Sequence, residues 1–318
     1  MAATMTLEQE MEAHRSALTG YCYRMIGSGS EAEDAVQETM VRAWRAADKL
    51  QERGALKAWL FRIANNVCLD MLQSSQRRAI PMEMGPSSNA DAPLGAMLAD
   101  SAYVRPIADA KVLPESADPA ELAAEKETLR LAFVAALQHL PAKQRAVLIL
   151  REVLRWQASE VATLLDTSVA AVNSALQRAR ATLADIQAGQ PELDADQSDL
   201  LARYVDAFER YDIDAFIGLL HEDAIQSMPP FTMWLRGAAD IGAWMRGVGS
   251  GCEGSRLITT SANGSPAAAQ YRIDPDGGFR PWGLHVLDVS GGRICEIHTF
   301  LDDGRQFAQF GLPTHLPG

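Results

Sequence analysis

No run of about 18 apolar residues occurs in this 318-residue sequence; the longest apolar stretch, around Leu131–Leu137, is bounded by the polar residues Arg130 and Gln138. A helix that spans a bilayer needs about 20 such residues, so no membrane partner is expected. A basic leader followed by an apolar core is also lacking. Met1–His14 is acidic, which argues against a secretory signal. Cysteine is scarce: Cys22, Cys68, Cys252 and Cys295 lie far apart with no CxxC pair. That argues against a zinc site or a disulfide framework and fits a reducing cytoplasm, so a cytoplasmic protein with no metal and no cofactor is expected. Lysine is absent from residues 188–318.

What is present suffices for packed domains. At 47% hydrophobic and 22% charged residues the chain can bury cores, and its length suggests two or three of them. The net charge of −12 is unevenly placed. Residues 1–84 carry −1, residues 85–120 carry −3, residues 121–187 carry +1 and residues 188–318 carry −9. A polyanion would therefore be met by the first 187 residues, not by the acidic remainder.

Apolar residues recur at helical spacing between Leu7 and Arg78, as in Ala35, Val36, Met40 and Ala43, and again in Leu60, Ile63, Ala64 and Val67. Gly27-Ser28-Gly29-Ser30 breaks the first helix, and Ser30 with Glu33 reads as a capping box opening the next. Residues 81–120 are Pro-punctuated and rich in Ser, Ala and Asp, and are read as a linker. Helical periodicity returns over 121–187, with a stop and restart at Leu140-Pro141. Residues 188–197 form a second linker. Beyond it one amphipathic helix (Leu200, Leu201, Tyr204, Val205, Phe208) precedes strand-like text at Arg256–Ala262, Ala267–Ile273, Trp282–Val289 and Ile294–Leu301, with a hairpin signal at Gly291-Gly292.

The sharpest chemical signal lies in Glu152–Leu183. A short helix from Ala158 to Leu165, a polar turn Asp166-Thr167-Ser168 and a second helix from Val169 to Leu183 have helix-turn-helix spacing. Val172, Leu176, Ala179 and Leu183 form the buried stripe of the second helix; Asn173, Ser174, Gln177 and Arg178 face away from it. Asn and Gln pair bidentately with adenine and Arg with guanine, while Arg155 and Arg180 suit phosphate. An ordinary helical hairpin with a solvated outer face fits the same spacing.

The two helical parts together resemble the extracytoplasmic-function (ECF) sigma factors of the sigma-70 family. Tyr23-Arg24-Met25-Ile26-Gly27, Ala32–Thr39, Val41–Trp44 and Trp59–Asn66 are similar to its region 2, and Leu140–Arg145 through Ala175–Arg180 to its region 4. Met228-Pro229-Pro230-Phe231 and Trp234-Leu235-Arg236-Gly237 resemble the SnoaL-like extension of one subgroup. The resemblance implies a multidomain fold: an all-α region 2 bundle over 7–80, an all-α region 4 helix-turn-helix over 121–187, and an α+β cone-fold SnoaL-like domain of the nuclear-transport-factor-2 type over 198–318.

The implied function is an alternative RNA polymerase sigma factor, a binding protein and not an enzyme, whose fused domain modulates it. Asp34, Gln37, Glu38, Arg42 and Trp44 would dock on the clamp coiled coil of core polymerase, and the flap is a further contact. Arg62, Asn66, Asp70, Arg77 and Arg78 would hold the −10 element. Asn173, Ser174, Gln177, Arg178 and Arg180 would read the −35 element. Trp59 and Phe61 fit either the core or base stacking. The acidic linker either threads the polymerase channel or is a soluble tether. His221, Asp223, Trp234, His285, Asp288 and His298 are candidates for lining a cone pocket, where an unknown small ligand or protein would act; no catalytic residue is assigned. Two other readings remain: a stand-alone helix-turn-helix regulator, and a cone-fold enzyme fused to a DNA-binding unit.

Overall fold

A left-handed glycine closes the first long helix. α1 (Leu7–Glu12) is followed by α2 (Arg15–Ile26), and Gly27 at φ 78° turns the chain out of it. α3 (Gly29–Arg45) is capped by Ser28, whose hydroxyl faces the Glu31 amide. The cap therefore lies two residues before the Ser30 of the sequence reading, because Gly29 is already helical. α4 (Leu56–Leu72) completes a bundle around Leu18, Tyr21, Met25, Val36, Leu60 and Phe61. Next come α5 (Pro119–Glu127), α6 (Leu131–Gln138), α7 (Ala142–Leu148) continued by a π-helical turn Ile149–Val153, α8 (Ala158–Leu164) and α9 (Val169–Gln187).

The computed structural model describes residues 5–50, 52–73, 77–114, 118–187, 197–301 and 304–318. The second linker, 188–197, falls almost wholly outside the described residues. The chain forms two compact units, Met1–Arg78 with Asp109–Gly189, and Ala79–Ala108 with Gln190–Gly318. Both helical modules thus belong to one unit. Two buried arginines join them: Arg24 of α2 donates to the carbonyl and hydroxyl of Thr128 at 3.1 and 2.8 Å, and Arg145 of α7 donates to the Met25 carbonyl. Tyr21, Phe61 and Trp156 pack in series, edge to face and tilted, with ring centroids 5.5 and 5.2 Å apart.

The second unit opens on α10 (Ser198–Glu209) and α11 (Ile213–Gly218), then adds β1 (Leu220–Ser227), β2 (Trp234–Arg236), α12 (Ala238–Arg246), β3 (Arg256–Ala262), β4 (Ser265–Ile273), β5 (Phe279–Ser290), β6 (Arg293–Leu301) and α13 (Arg305–Gln309). The mixed sheet has the order β2-β1-β6-β5-β4-β3, with β1 and β6 parallel and the other pairs antiparallel. β1 and β2 carry no clean alternation of apolar and polar residues, so periodicity did not reveal them. Gly291 and Gly292, at φ 58° and 72°, make the two-residue turn between β5 and β6.

The first linker is divided. Residues 109–114 and 118–120 lie with the helical unit, where Lys111 pairs with Glu33 and Val112 is buried. Residues 79–108 belong to the α+β unit. Ser88 donates to the Trp234 carbonyl (2.7 Å), Leu98 to that of Pro230 (3.0 Å), and Asn263 to that of Ile107 (3.1 Å). Tyr103, Val104 and Ile107 are buried. Prolines disrupt any regular period here, yet these apolar side chains still reach a core.

Candidate nucleic-acid interface

The turn between α8 and α9 depends on Asp166, which takes φ 50°, a left-handed conformation that Asp tolerates better than most residues. Ser168 then accepts the Ala171 amide at 3.1 Å and starts α9. Val172, Leu176, Ala179 and Leu183 are buried, so Asn173, Ser174, Gln177 and Arg178 form an exposed ridge. Arg178 donates to Ser174 at 2.6 Å along that ridge. Arg180 turns toward Glu152 and pairs with it at 2.6 Å.

On α4, Asn66 and Arg62 are exposed, whereas Asn65 is buried and accepts the Tyr21 hydroxyl at 3.0 Å. Phe61 is fully buried and Trp59 half-buried, so Phe61 is core. Arg77 is exposed beside His139, 2.6 Å from its Nε2. Arg78 differs from the sequence reading: it is 4% exposed and paired with Glu31, so its guanidinium supports the bundle and does not face solvent. Asp70 pairs with Arg42 at 3.2 Å, joining a residue assigned to the −10 face to one assigned to polymerase docking. Along α3, Asp34, Gln37, Glu38, Arg42 and Trp44 all lie on one exposed face, and Trp44 is 65% exposed.

The exposed faces of α4 and α9 meet. A cavity of about 720 Å³ is lined by Arg62, Asn66 and Leu69 of α4 and by Val172, Ala175 and Arg178 of α9. Arg62 reaches to 3.4 Å from the Thr163 carbonyl of α8.

Residues 11–78 match the Sigma-70 region 2 family, 130–183 the Sigma-70 region 4 family, and 201–297 the SnoaL-like domain family. The chain is 44% identical over 318 aligned residues to ECF RNA polymerase sigma factor SigG of Mycobacterium tuberculosis, which covers 96% of this chain and 83% of that protein. The chain belongs to the ECF RNA polymerase sigma factors. It is also 25% identical to SigJ of the same organism, over 91% of this chain and 89% of that protein. The crystal structure of the SigJ of M. tuberculosis has the same fold, with a TM-score of 0.60 at 22% identity, covering 96% of this chain and 99% of that one. Regions 2 and 4 imply binding to RNA polymerase and promoter DNA. Among the described residues of this sigma factor no helix is long and apolar enough to cross a membrane.

The pocket candidates of the sigma factor's SnoaL-like domain separate onto different surfaces. Side chains alternate across a strand, so His285 points into the cone, while Asp288 and His298 lie on the sheet's other face. There Asp288 accepts the Ser265 hydroxyl at 2.8 Å, and His298 lies 2.9 Å from both Ser227 and Glu296. Burial disfavours the charged His298 ring, but its bond to Glu296 and the nearby carboxylates outweigh that and raise its pKa. His221 is exposed and accepts the Asp223 amide, so both residues are surface groups. Trp234 is buried, yet its indole donates to the Gly85 carbonyl at 2.9 Å, holding the 79–108 segment in place. His285 alone of these lines the inner cavity. Both its nitrogens are engaged, by Tyr204 at 2.6 Å and Gln270 at 2.9 Å.

Proposed function

We propose that this sigma factor docks on core RNA polymerase through the outer face of α3, reads the −35 element with the α9 ridge and holds melted −10 DNA along α4. The observation that carries the reading is the exposed α3 face. A stand-alone DNA-binding regulator has no need of a solvent-facing Trp44 flanked by Asp34, Gln37, Glu38 and Arg42. The clamp coiled coil is the contact proposed for this face, and the flap that for the region 4 module. A polymerase-bound regulator of this kind acts in the cytoplasm and makes no bonds itself; the polymerase does.

The −35 and −10 elements are separate sites on a duplex that rises about 3.4 Å per base pair, farther apart than one cavity spans. Arg62, Asn66 and Arg178 line one cavity. Promoter binding therefore requires the α4 and α9 faces to separate. The SnoaL-like domain is proposed to regulate that step, because the segment connecting the two modules, residues 79–108, packs within its unit.

Run-off transcription with purified core polymerase tests the reading, using the intact chain and one ending near Gln197. Promoter-specific transcripts are expected from the intact chain, and altered output on truncation. Trp44→Ala is expected to weaken capture by core polymerase about tenfold while leaving the helical circular-dichroism signal intact. No association with core polymerase by either form would overturn the assignment, and unchanged output on truncation would overturn the regulatory role.

A further inference from the structure

We propose that Asp288, Glu296 and His298, on the face of the SnoaL-like sheet turned away from the cone, form a binding site for a divalent transition-metal ion. The strand register brings them together. Asp288 of β5 and Glu296 of β6 are directly opposed partners, and His298 follows Glu296 by two residues, so alternation along the strand places all three on one face. Two carboxylate oxygens and one imidazole nitrogen there lie within 4.8 Å of one another. Asp288 and His298 are buried and Glu296 is half-buried, so the cluster is enclosed except at the Glu296 edge.

Carboxylates directly opposite each other on paired strands repel, and burial raises the cost of their charge. A divalent cation between them offsets both effects. His298 Nε2 lies 2.9 Å from Glu296 Oε2. Two donors each about 2.1 Å from one ion, and at right angles about it, are about 3.0 Å apart, so an ion can take the place of the proton these atoms share with little movement of either.

Groups outside the cluster hold its donors from behind. Ser227 Oγ lies 2.9 Å from His298 Nδ1, and Asp288 accepts the Ser265 hydroxyl at 2.8 Å; both serines are buried. A proton on Nδ1 donated to Ser227 leaves the Nε2 lone pair for a metal, the arrangement that orients ligating histidines generally. Cys295 is engaged elsewhere, since its thiol donates to the Asp288 carbonyl at 3.1 Å. The donor set is therefore one nitrogen and two carboxylates without sulfur, which needs no CxxC pair. Imidazole selects zinc and its neighbours over magnesium and calcium. Ser227 ends β1, and in the turn that follows Pro230 accepts the Leu98 amide at 3.0 Å, so occupancy bears on how the segment joining regions 2 and 4 is seated.

Calorimetric titration of the metal-stripped full chain with zinc, without polymerase or DNA, keeps this test separate from the sigma-factor reading. Saturable one-to-one binding is expected, and an excess of magnesium is expected not to displace the zinc. His298→Gln is expected to weaken binding about a hundredfold, and Ser227→Ala, behind the ring, about tenfold. Glu296→Gln, at a partly exposed position that tests the site should the histidine variant fail to fold, is expected to weaken it at least about tenfold. His221→Gln, at a surface histidine, should leave the affinity unchanged. Cobalt(II) in place of zinc should give a visible ligand-field spectrum with no sulfur-to-metal charge-transfer band. Absence of saturable zinc binding would overturn the site. An affinity unmoved by both His298→Gln and Glu296→Gln, or a sulfur charge-transfer band, would place the ion elsewhere and also overturn it. Displacement of zinc by magnesium would overturn the transition-metal assignment.

Discussion

Arg145 is a buried cation that pairs with no carboxylate among the described residues and is held by oxygens. It donates to Gln138 Oε1 at 2.6 Å, to the Leu140 carbonyl at 3.1 Å and to the Met25 carbonyl. Removing the guanidinium leaves those acceptors buried, so Arg145→Ala is expected to cost about 3 kcal/mol. Arg145→Lys should recover less than half of this, because an ammonium cannot present the planar fork. A urea midpoint for the helical signal that matches wild type would refute this role. His285 sets a different residue-scale effect. Burial pushes its folded pKa below the unfolded value, so the unfolded chain takes up the proton first. Stability from this group is full above about pH 6.5 and falls as pH drops toward 3. Between pH 6.5 and 5 the expected loss is about 2 kcal/mol. His285→Gln should remove that one-proton slope in urea titrations across pH; an undiminished slope would assign it to another group.

At the scale of the element, α9 divides its labour by helical period. Val172, Leu176 and Ala179 hold it to the unit, and Asn173 and Gln177 project outward. Alanine at Asn173 or Gln177 is expected to relax preference at single −35 base positions by about 1–3 kcal/mol each, leaving the fold unchanged. Binding measured on a set of single-base promoter variants checks this. A uniform loss across all variants would mark the side chains as phosphate contacts. The same periodicity made the ridge readable from sequence. Arg78 was not readable in this way: one arginine near a helix end reads alike whether it faces solvent or turns inward to pair with a half-buried Glu31.

At the scale of the whole molecule, the aromatic series Tyr21–Phe61–Trp156 holds the region 2 and region 4 modules in one unit. Trp156 is 8% exposed, so Trp156→Ala removes packing without replacing it. Loosening is expected to expose the α4 and α9 faces proposed to meet DNA, seen as faster proteolysis between the modules and about tenfold tighter binding of promoter DNA in the absence of polymerase. DNA affinity that stays at the wild-type level while proteolysis accelerates would separate closure from concealment of the interface.

Sequence alone determined what depends on local period and local chemistry: the helical modules, the helix-turn-helix, the outward ridge of α9 and the last four strands. Those features repeat every 2 or 3.6 residues or follow from one turn, so neighbours along the chain suffice to define them. Tertiary structure alone decided the rest. It turned a Pro-rich stretch into a layer packed with the SnoaL-like domain, separated His285 from Asp288 and His298 across one sheet, and set Asp288 opposite Glu296 on paired strands. These depend on register and on contacts between residues far apart in the chain, where a shift of one position on a strand moves a side chain to the opposite face.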